Sequence, residues 1–250
     1  MENLELKSMS VAEIVNRYPG AVEVFEKFKI DYCCNGKLNF AKACQKANVD
    51  EAFIRKELKY AVAEIPATST NAHEWPLDLL VNYIVQNHHL YVRTSIPGIA
   101  VLANKVKTVH GKRHPELVEI KKQFGILKDD LEKHMYNEEA ILFPSIINLV
   151  SQNFSDHPDA GRIIGFRLMD SIGLMEEEHE SAGQCLTKIR IASNGFIIPS
   201  DACSSFRLLY QRLEDFEEDL HTHIHLENNI LFPKALMLEA KLVGDLACLF

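Results

Sequence analysis

The stretch HIHLENNILFP, His223 to Pro233, decides how this chain is read. With His221 just upstream it holds three histidines and one glutamate in seven residues. Residues four apart share a helix face, so two pairs could chelate a metal: His221 with His225, and His223 with Glu227. A two-residue offset turns a side chain by about 200°, so the two pairs face opposite ways.

An earlier segment chooses between them. HMYNEEAILFP, His134 to Pro144, matches at the first His, at the Glu four later and at the closing ILFP. His223–Glu227 therefore has a twin in His134–Glu138, while His221 and His225 have none. Periodicity agrees. Leu127, Leu131, His134, Glu138, Ile141 and Ser145 step along one helix face. Leu209, Leu213, Phe216, Leu220, His223, Glu227 and Ile230 do the same, so each His–Glu pair lies on a core-facing stripe. Glu214, Glu218, His221, His225 and Asn228 trace an all-polar stripe, expected to be solvated.

A buried glutamate is costly unless it is paired or metal-bound. Two other helical stretches add imidazoles. Ile172, Met175, His179, Ala182, Leu186 and Ile189 form one stripe. Further upstream, Val85, His89, Val92, Ile96 and Ile99 form one line, and Ile84, His88, Tyr91 and Ser95 a second. His89 is favoured, although periodicity leaves both lines open. The candidate set is His89, His134, Glu138, His179, His223 and Glu227. Four imidazoles and two carboxylates suit a pair of transition-metal ions that the carboxylates can bridge, with iron the expected metal. Ferritin-like bundles use Glu-x-x-His; the reversed order and richer histidine content here point to a hemerythrin-like site.

The remaining sequence sets the frame. The chain has 250 residues, 47% apolar and 25% charged, an ordinary globular composition. A net charge of −8 argues against nucleic-acid binding. No apolar run approaches the roughly 18–20 residues a membrane span needs, and the N-terminus lacks a signal-peptide pattern. A cytoplasmic location is therefore expected. The six cysteines are too scattered for a disulfide scaffold; only the adjacent Cys33 and Cys34 stand out.

No period-2 strand pattern appears, so the expected fold is all-α. Residues 1–63 read as a small helical, cysteine-containing domain. It has a capping box at Ser10 and Glu13, a break at Pro19–Gly20, the loop DYCCNGK and short helices near 39–47 and 51–63. Residues 64–76 read as a linker. Residues 77–240 read as an up-down-up-down four-helix bundle. Its helices fall near 76–108, kinked at Pro97–Gly98, then 115–150 opening on Pro115, 158–193 and 200–240. Residues 241–250 read as a tail.

The H-x-x-x-E…H…H-x-x-x-E arrangement, the twin ILFP endings and DYCCNGK in an N-terminal helical unit together resemble one family. It is the di-iron iron–sulfur cluster repair proteins, the repair-of-iron-centres family, with a hemerythrin-like bundle behind a short cysteine-containing domain. The resemblance covers nearly the whole chain. It implies that the di-iron ligands fall on His89, His134, Glu138, His179, His223 and Glu227. The family's proline eight residues after the first ligand matches Pro97, which supports His89. The implied role is restoring clusters damaged by nitric oxide or oxidants, through iron donation or nitric oxide handling at a non-haem di-iron centre. The implied partners are damaged iron–sulfur proteins as clients, NO and O2, an electron donor, and a second copy of the chain in a homodimer. Two rival expectations are a nitric oxide-reducing or scavenging enzyme with an accessory cysteine domain, and a hemerythrin-like oxygen- or NO-binding or sensing protein. Cys33 and Cys34 are candidates for a thiol site in iron transfer or redox exchange, with Lys37 placed to lower a thiol pKa. Asn35 stands where relatives usually carry Gly, and Asn tolerates left-handed backbone better than most residues.

Overall fold

The computed structural model describes residue 6 and residues 8–64, 72–153 and 168–247. Ser10 and Glu13 do form the capping box: Glu13 N donates to Ser10 Oγ (3.2 Å) and Ser10 N to the Glu13 carboxylate (2.7 Å). Behind it come α1 (Val11–Arg17), α2 (Ala21–Lys27), α3 (Phe40–Lys46) and α4 (Glu51–Glu64). Pro19 and Gly20 separate the first two. These helices close over an apolar core of their own that includes Phe25, Tyr32, Phe40, Ile54 and Leu58.

Four long helical rods form the bundle. The first joins α5 (Leu77–Tyr83) to α6 (Leu90–His110), and the second joins α7 (Glu116–Asn137) to α8 (Phe143–Asn153). The third is α9 (Leu168–Ala192); the fourth joins α10 (Ser204–Leu226) to α11 (Phe232–Ala247). The described residues contain no β-strand, and no helix among them is long and apolar enough to cross a membrane. The expected start of the third helix at 158 lies outside the described residues. Helix α6 runs on through Pro97 and Gly98, and α11 continues as far as Ala247, over residues read as tail.

Three of the rods contain a π-helical turn, at Ile84–His89, Glu138–Leu142 and Glu227–Leu231. In each, the next N–H reaches back five residues: Leu90 to Val85 O, Phe143 to Glu138 O and Phe232 to Glu227 O. In the second and fourth rods a proline follows at once. Pro144 and Pro233 have no N–H to offer the carbonyl four residues back, which loosens the α ladder there. Asn229 O, the carbonyl Pro233 leaves unclaimed, accepts from Asn16 Nδ2 of the N-terminal helices at 3.2 Å.

A π turn inserts one residue, so the buried face shifts by one beyond it. That corrects two expectations. After Glu138 the core is filled by Leu142, Phe143 and Ile146, while Ile141 is 48% exposed and Ser145 half-buried. In the first rod Ile84 is buried before the turn, and His89, Val92 and Ile96 after it. Each of the two rival lines is thus correct on one side of the turn. Helix α9 has no π turn, and its stripe from Ile172 to Ile189 is buried throughout.

The polar stripe on α10 is the clearest departure from expectation. It faces the N-terminal helices, not solvent. His225 is only 5% exposed, with its ring edge-on to Tyr32 at 5.3 Å, and His221 Nδ1 pairs with Glu26 at 2.8 Å. Asn228 is buried too, and only Glu218 of that stripe stays exposed. A polar interface carries the same sequence pattern as a wet surface. The loop that completes the interface is tightly wound: Asp31 Oδ1 accepts the N–H groups of Cys33, Cys34 and Asn35. Asn35 does not adopt left-handed backbone; its side chain bridges Asp31 and Lys46. Asn229 Nδ2 donates to Tyr32 O and Cys33 O, each at 3.1 Å.

Burial holds the His225 pKa down, to about 4, because no acid faces it. A group that the folded chain keeps neutral stabilises above its unfolded pKa and ceases to do so as pH falls. Between pH 7 and pH 5 the wild type should lose about 2 kcal/mol relative to His225→Gln. Urea unfolding of both chains at the two pH values measures this, and a pH-independent difference contradicts it. His221, whose pKa burial opposes but Glu26 raises, changes in the opposite sense in both chains and cancels from the comparison.

Candidate metal centre

The bundle core is split by a polar layer. One apolar cluster contains Val92, Leu131, Leu220 and Ile224; the other contains Ile84, Phe143, Met175 and Phe232. Between them the structure brings together all six residues singled out by the twin motifs and their neighbours: His89, His134, Glu138, His179, His223 and Glu227, each at most 2% exposed.

They form two overlapping four-donor groups. One is His89, Glu138, His223 and Glu227; the other is His134, Glu138, His179 and Glu227. Both carboxylates belong to both. Glu138 Oε2 lies 3.3 Å from the Nε2 atoms of His89 and of His134. Glu227 divides its oxygens, with Oε1 3.0 Å from His223 Nε2 and Oε2 3.1 Å from His179 Nε2. Two donors about 2.1 Å from one ion and at right angles stand about 3 Å apart, so this spacing fits ions in the middle. The loose ends agree. Among the described residues His89 Nε2, both Glu138 oxygens and Glu227 Oε2 are buried without a hydrogen-bond partner, which is rare in a settled core. The donor set therefore fits a metal centre.

Protonation shows the same balance. Burial opposes charge on His89, but Glu138 and Glu227 outweigh it and push its pKa up to about 10. Burial likewise opposes charge on His134, and Glu138 and Glu178 raise its pKa well above the usual range. Glu227 stays ionised despite burial because His223, His179 and His89 surround it. Protons thus stand in for metal charge, and metal binding must displace them, so binding weakens as pH falls.

Outer partners orient the rings. His89 Nδ1 meets Glu139 at 2.6 Å, His134 Nδ1 meets Glu178 at 2.7 Å and His179 Nδ1 meets Asn228 at 2.8 Å. Each partner takes up Nδ1 and turns Nε2 towards the centre. The duplication extends to packing, since the twin ILFP phenylalanines stack on twin histidines, Phe143 on His89 and Phe232 on His179. Sequence reading missed Glu139, Glu178 and Asn228. The available signal was adjacency: each stands next to a candidate donor in the chain, yet serves a histidine on a different rod.

His88 is buried but belongs to neither group. Its Nδ1 pairs with Asp219 at 2.9 Å and its ring stacks on His223. His221 and His225 are also outside both groups.

The cysteine loop docks against this centre from the side of α9. Cys34 Sγ lies 3.6 Å from His179 O and 3.7 Å from Cys33 Sγ, with both thiols free. Cys33 is buried and points at Asp31; its hydrogen bond with Cys34 and its burial push its pKa well up, so it stays a thiol. Cys34 is the more accessible of the two. Both line a cleft of about 400 Å³ between the loop and α9. Lys37 does not serve the thiols: its Nζ pairs with Glu176 at 2.9 Å. Cys44 and Cys185 are buried, Cys203 is exposed beside His110, and Cys248 lies outside the described residues.

Comparison with known proteins gives two family matches. Residues 80–235 match the family described as Hemerythrin HHE cation binding domain, and residues 7–62 match ScdA_N, a Domain of Unknown function (DUF542). A protein of Musicola paradisiaca (strain Ech703), named iron-sulfur cluster repair protein YtfE, is 35% identical over 95% of this chain and 100% of its own length. Proteins of the same name from Yersinia pestis (strain Pestoides F) and Yersinia pseudotuberculosis serotype O:1b (strain IP 31758) are 31% identical over 93% of this chain and 99% of their own. With a hemerythrin-type bundle, a cysteine loop packed on it and relatives matched from end to end, this chain belongs to the YtfE family of iron–sulfur cluster repair proteins.

Proposed function

We propose that this chain repairs damaged iron–sulfur clusters, using a di-iron centre held by His89, His134, Glu138, His179, His223 and Glu227. The observation that carries the reading is the pair of four-donor groups sharing both buried carboxylates. Iron held by these residues would supply open coordination positions for nitric oxide or oxygen species and an ion to give up to an apo-cluster.

The chain's own residues do the rest. The apolar clusters on either side keep bulk water from the donors. Glu139, Glu178 and Asn228 hold three imidazoles through Nδ1, so that Nε2 is the nitrogen turned to the metal site. Cys34 lies 3.6 Å from the His179 carbonyl and opens to the cleft, so a thiol is available on the flank of the centre where a client would dock. A damaged iron–sulfur protein is the proposed client, and nitric oxide or oxidants the proposed source of damage.

The test is direct. Anaerobically purified chain should carry close to two irons. Added to a cluster enzyme inactivated by nitric oxide, it should restore activity as its own iron falls. Intact iron with no recovery of the enzyme would sink the repair reading.

A further inference from the structure

The duplication in the bundle amounts to an approximate twofold relation. It exchanges His89 with His179, His134 with His223, and Glu138 with Glu227. The outer partners follow the same rule in part. Glu139 and Asn228, each one residue after a shared carboxylate, support His89 and His179 respectively. Glu178, one residue before His179, supports His134. The residue that should support His223 is therefore the one before His89, which is His88.

His88 is in place but does not do the job. Its Nδ1 is taken by Asp219, and it presents its ring face to His223, at 5.6 Å and 13° between planes. Among the described residues no acceptor reaches His223 Nδ1, although that atom is fully buried. Three of the four imidazoles are thus fixed through Nδ1, and His223 alone is not. An imidazole with no acceptor on Nδ1 is a weaker ligand, because no hydrogen bond fixes its tautomer or raises its basicity.

We infer that the two halves of the centre are unequal, and that the ion held by His89 and His223 is the one the chain releases, while the ion held by His134 and His179 stays. The inference rests on the di-iron reading above and adds to it which iron is the transferable one, and why.

The experiment follows release from the full-length, Fe(II)-loaded chain into excess ferrous chelator without oxygen. Two phases of about one ion each are expected, their rates about 10–100-fold apart, the usual effect of an outer partner on a metal ligand. Glu178→Ala removes the support from His134. It should speed the slow phase towards the fast one and leave the fast phase alone. Glu178 is a third exposed, so this change does not empty the core. His88→Glu restores the partner that the twofold relation predicts, and should slow the fast phase. Two bound ions released in a single phase, or Glu178→Ala accelerating only the fast phase, would overturn the inference and leave the di-iron reading standing. A wild-type chain that never binds more than one ion would overturn both.

Discussion

Glu227→Ala should leave the purified chain with almost no iron, whereas His223→Ala should leave about one ion per chain. The difference follows from which groups each residue serves. Glu227 faces His223 with one oxygen and His179 with the other, so its loss opens both halves. His223 belongs to one group only. Removing Glu227 also leaves the buried Nε2 atoms of His223 and His179 without the oxygens they face, and a buried polar group left unpaired costs about 1–3 kcal/mol. Glu227→Gln separates the two effects: it keeps the volume but not the charge, and should lose the metal with less loss of stability. Iron per chain by mass spectrometry, with thermal unfolding beside it, reads both. A Glu227→Ala chain that keeps two irons, or a His223→Ala chain that loses both, contradicts the shared-carboxylate arrangement. The surface-like pair gives the contrast: His221→Ala/His225→Ala should keep its iron, because both rings are spent on the N-terminal helices.

The candidate donor set was legible in the sequence because two constraints agree on it. The twin H-x-x-x-E segments say which residues repeat, and the 3.6-residue period says which face is buried. Helix α9 shows the period working where nothing disturbs it: every residue of its expected stripe, His179 included, is buried. Where it failed, the cause was local and physical. A π turn adds a residue that no periodicity anticipates, so Ile141 was placed inside and lies outside, and His88 and His89 could not be told apart. Such turns are weak structures held where function needs them, and here all three lie at candidate donors. The stripe of Glu26's partner His221 and Tyr32's partner His225 failed for another reason. Polarity marks the face of a helix that avoids an apolar core, and says nothing about a second unit that brings its own acids and carbonyls to meet it. The outer partners were out of reach because each acts between rods, and that pairing depends on how the rods cross.

Gly36→Ala should separate iron binding from repair. A Cβ at this position would lie 2.3 Å from Asn229 Oδ1, 2.8 Å from Tyr32 O and 2.9 Å from Ala12 Cβ. Two of these neighbours are backbone or close to it, so the loop, not a flexible side-chain end, must give way. Overpacking of this kind costs about 1–3 kcal/mol. The contacts at risk are those joining the cysteine loop to α10 and its π turn, chiefly the Asn229 bonds to Tyr32 O and Cys33 O. None of the six donors touches Gly36, so the bundle should still fold around two irons. What should be lost is the seating of Cys34 against His179, and with it transfer to a client cluster. Gly125→Ala is the matched control: it sits in α7 with nothing within 4 Å of the added methyl and should stabilise by about 0.5–1 kcal/mol. Hydrogen exchange across residues 8–60, iron content and recovery of a nitric oxide-damaged cluster enzyme then give three separate readings for each variant. Faster exchange in the N-terminal helices with full iron and little recovery is the expected outcome for Gly36→Ala. Full recovery from a chain whose loop has lifted means that the bundle repairs clusters without the cysteines, and the thiols would then lose their place in the mechanism.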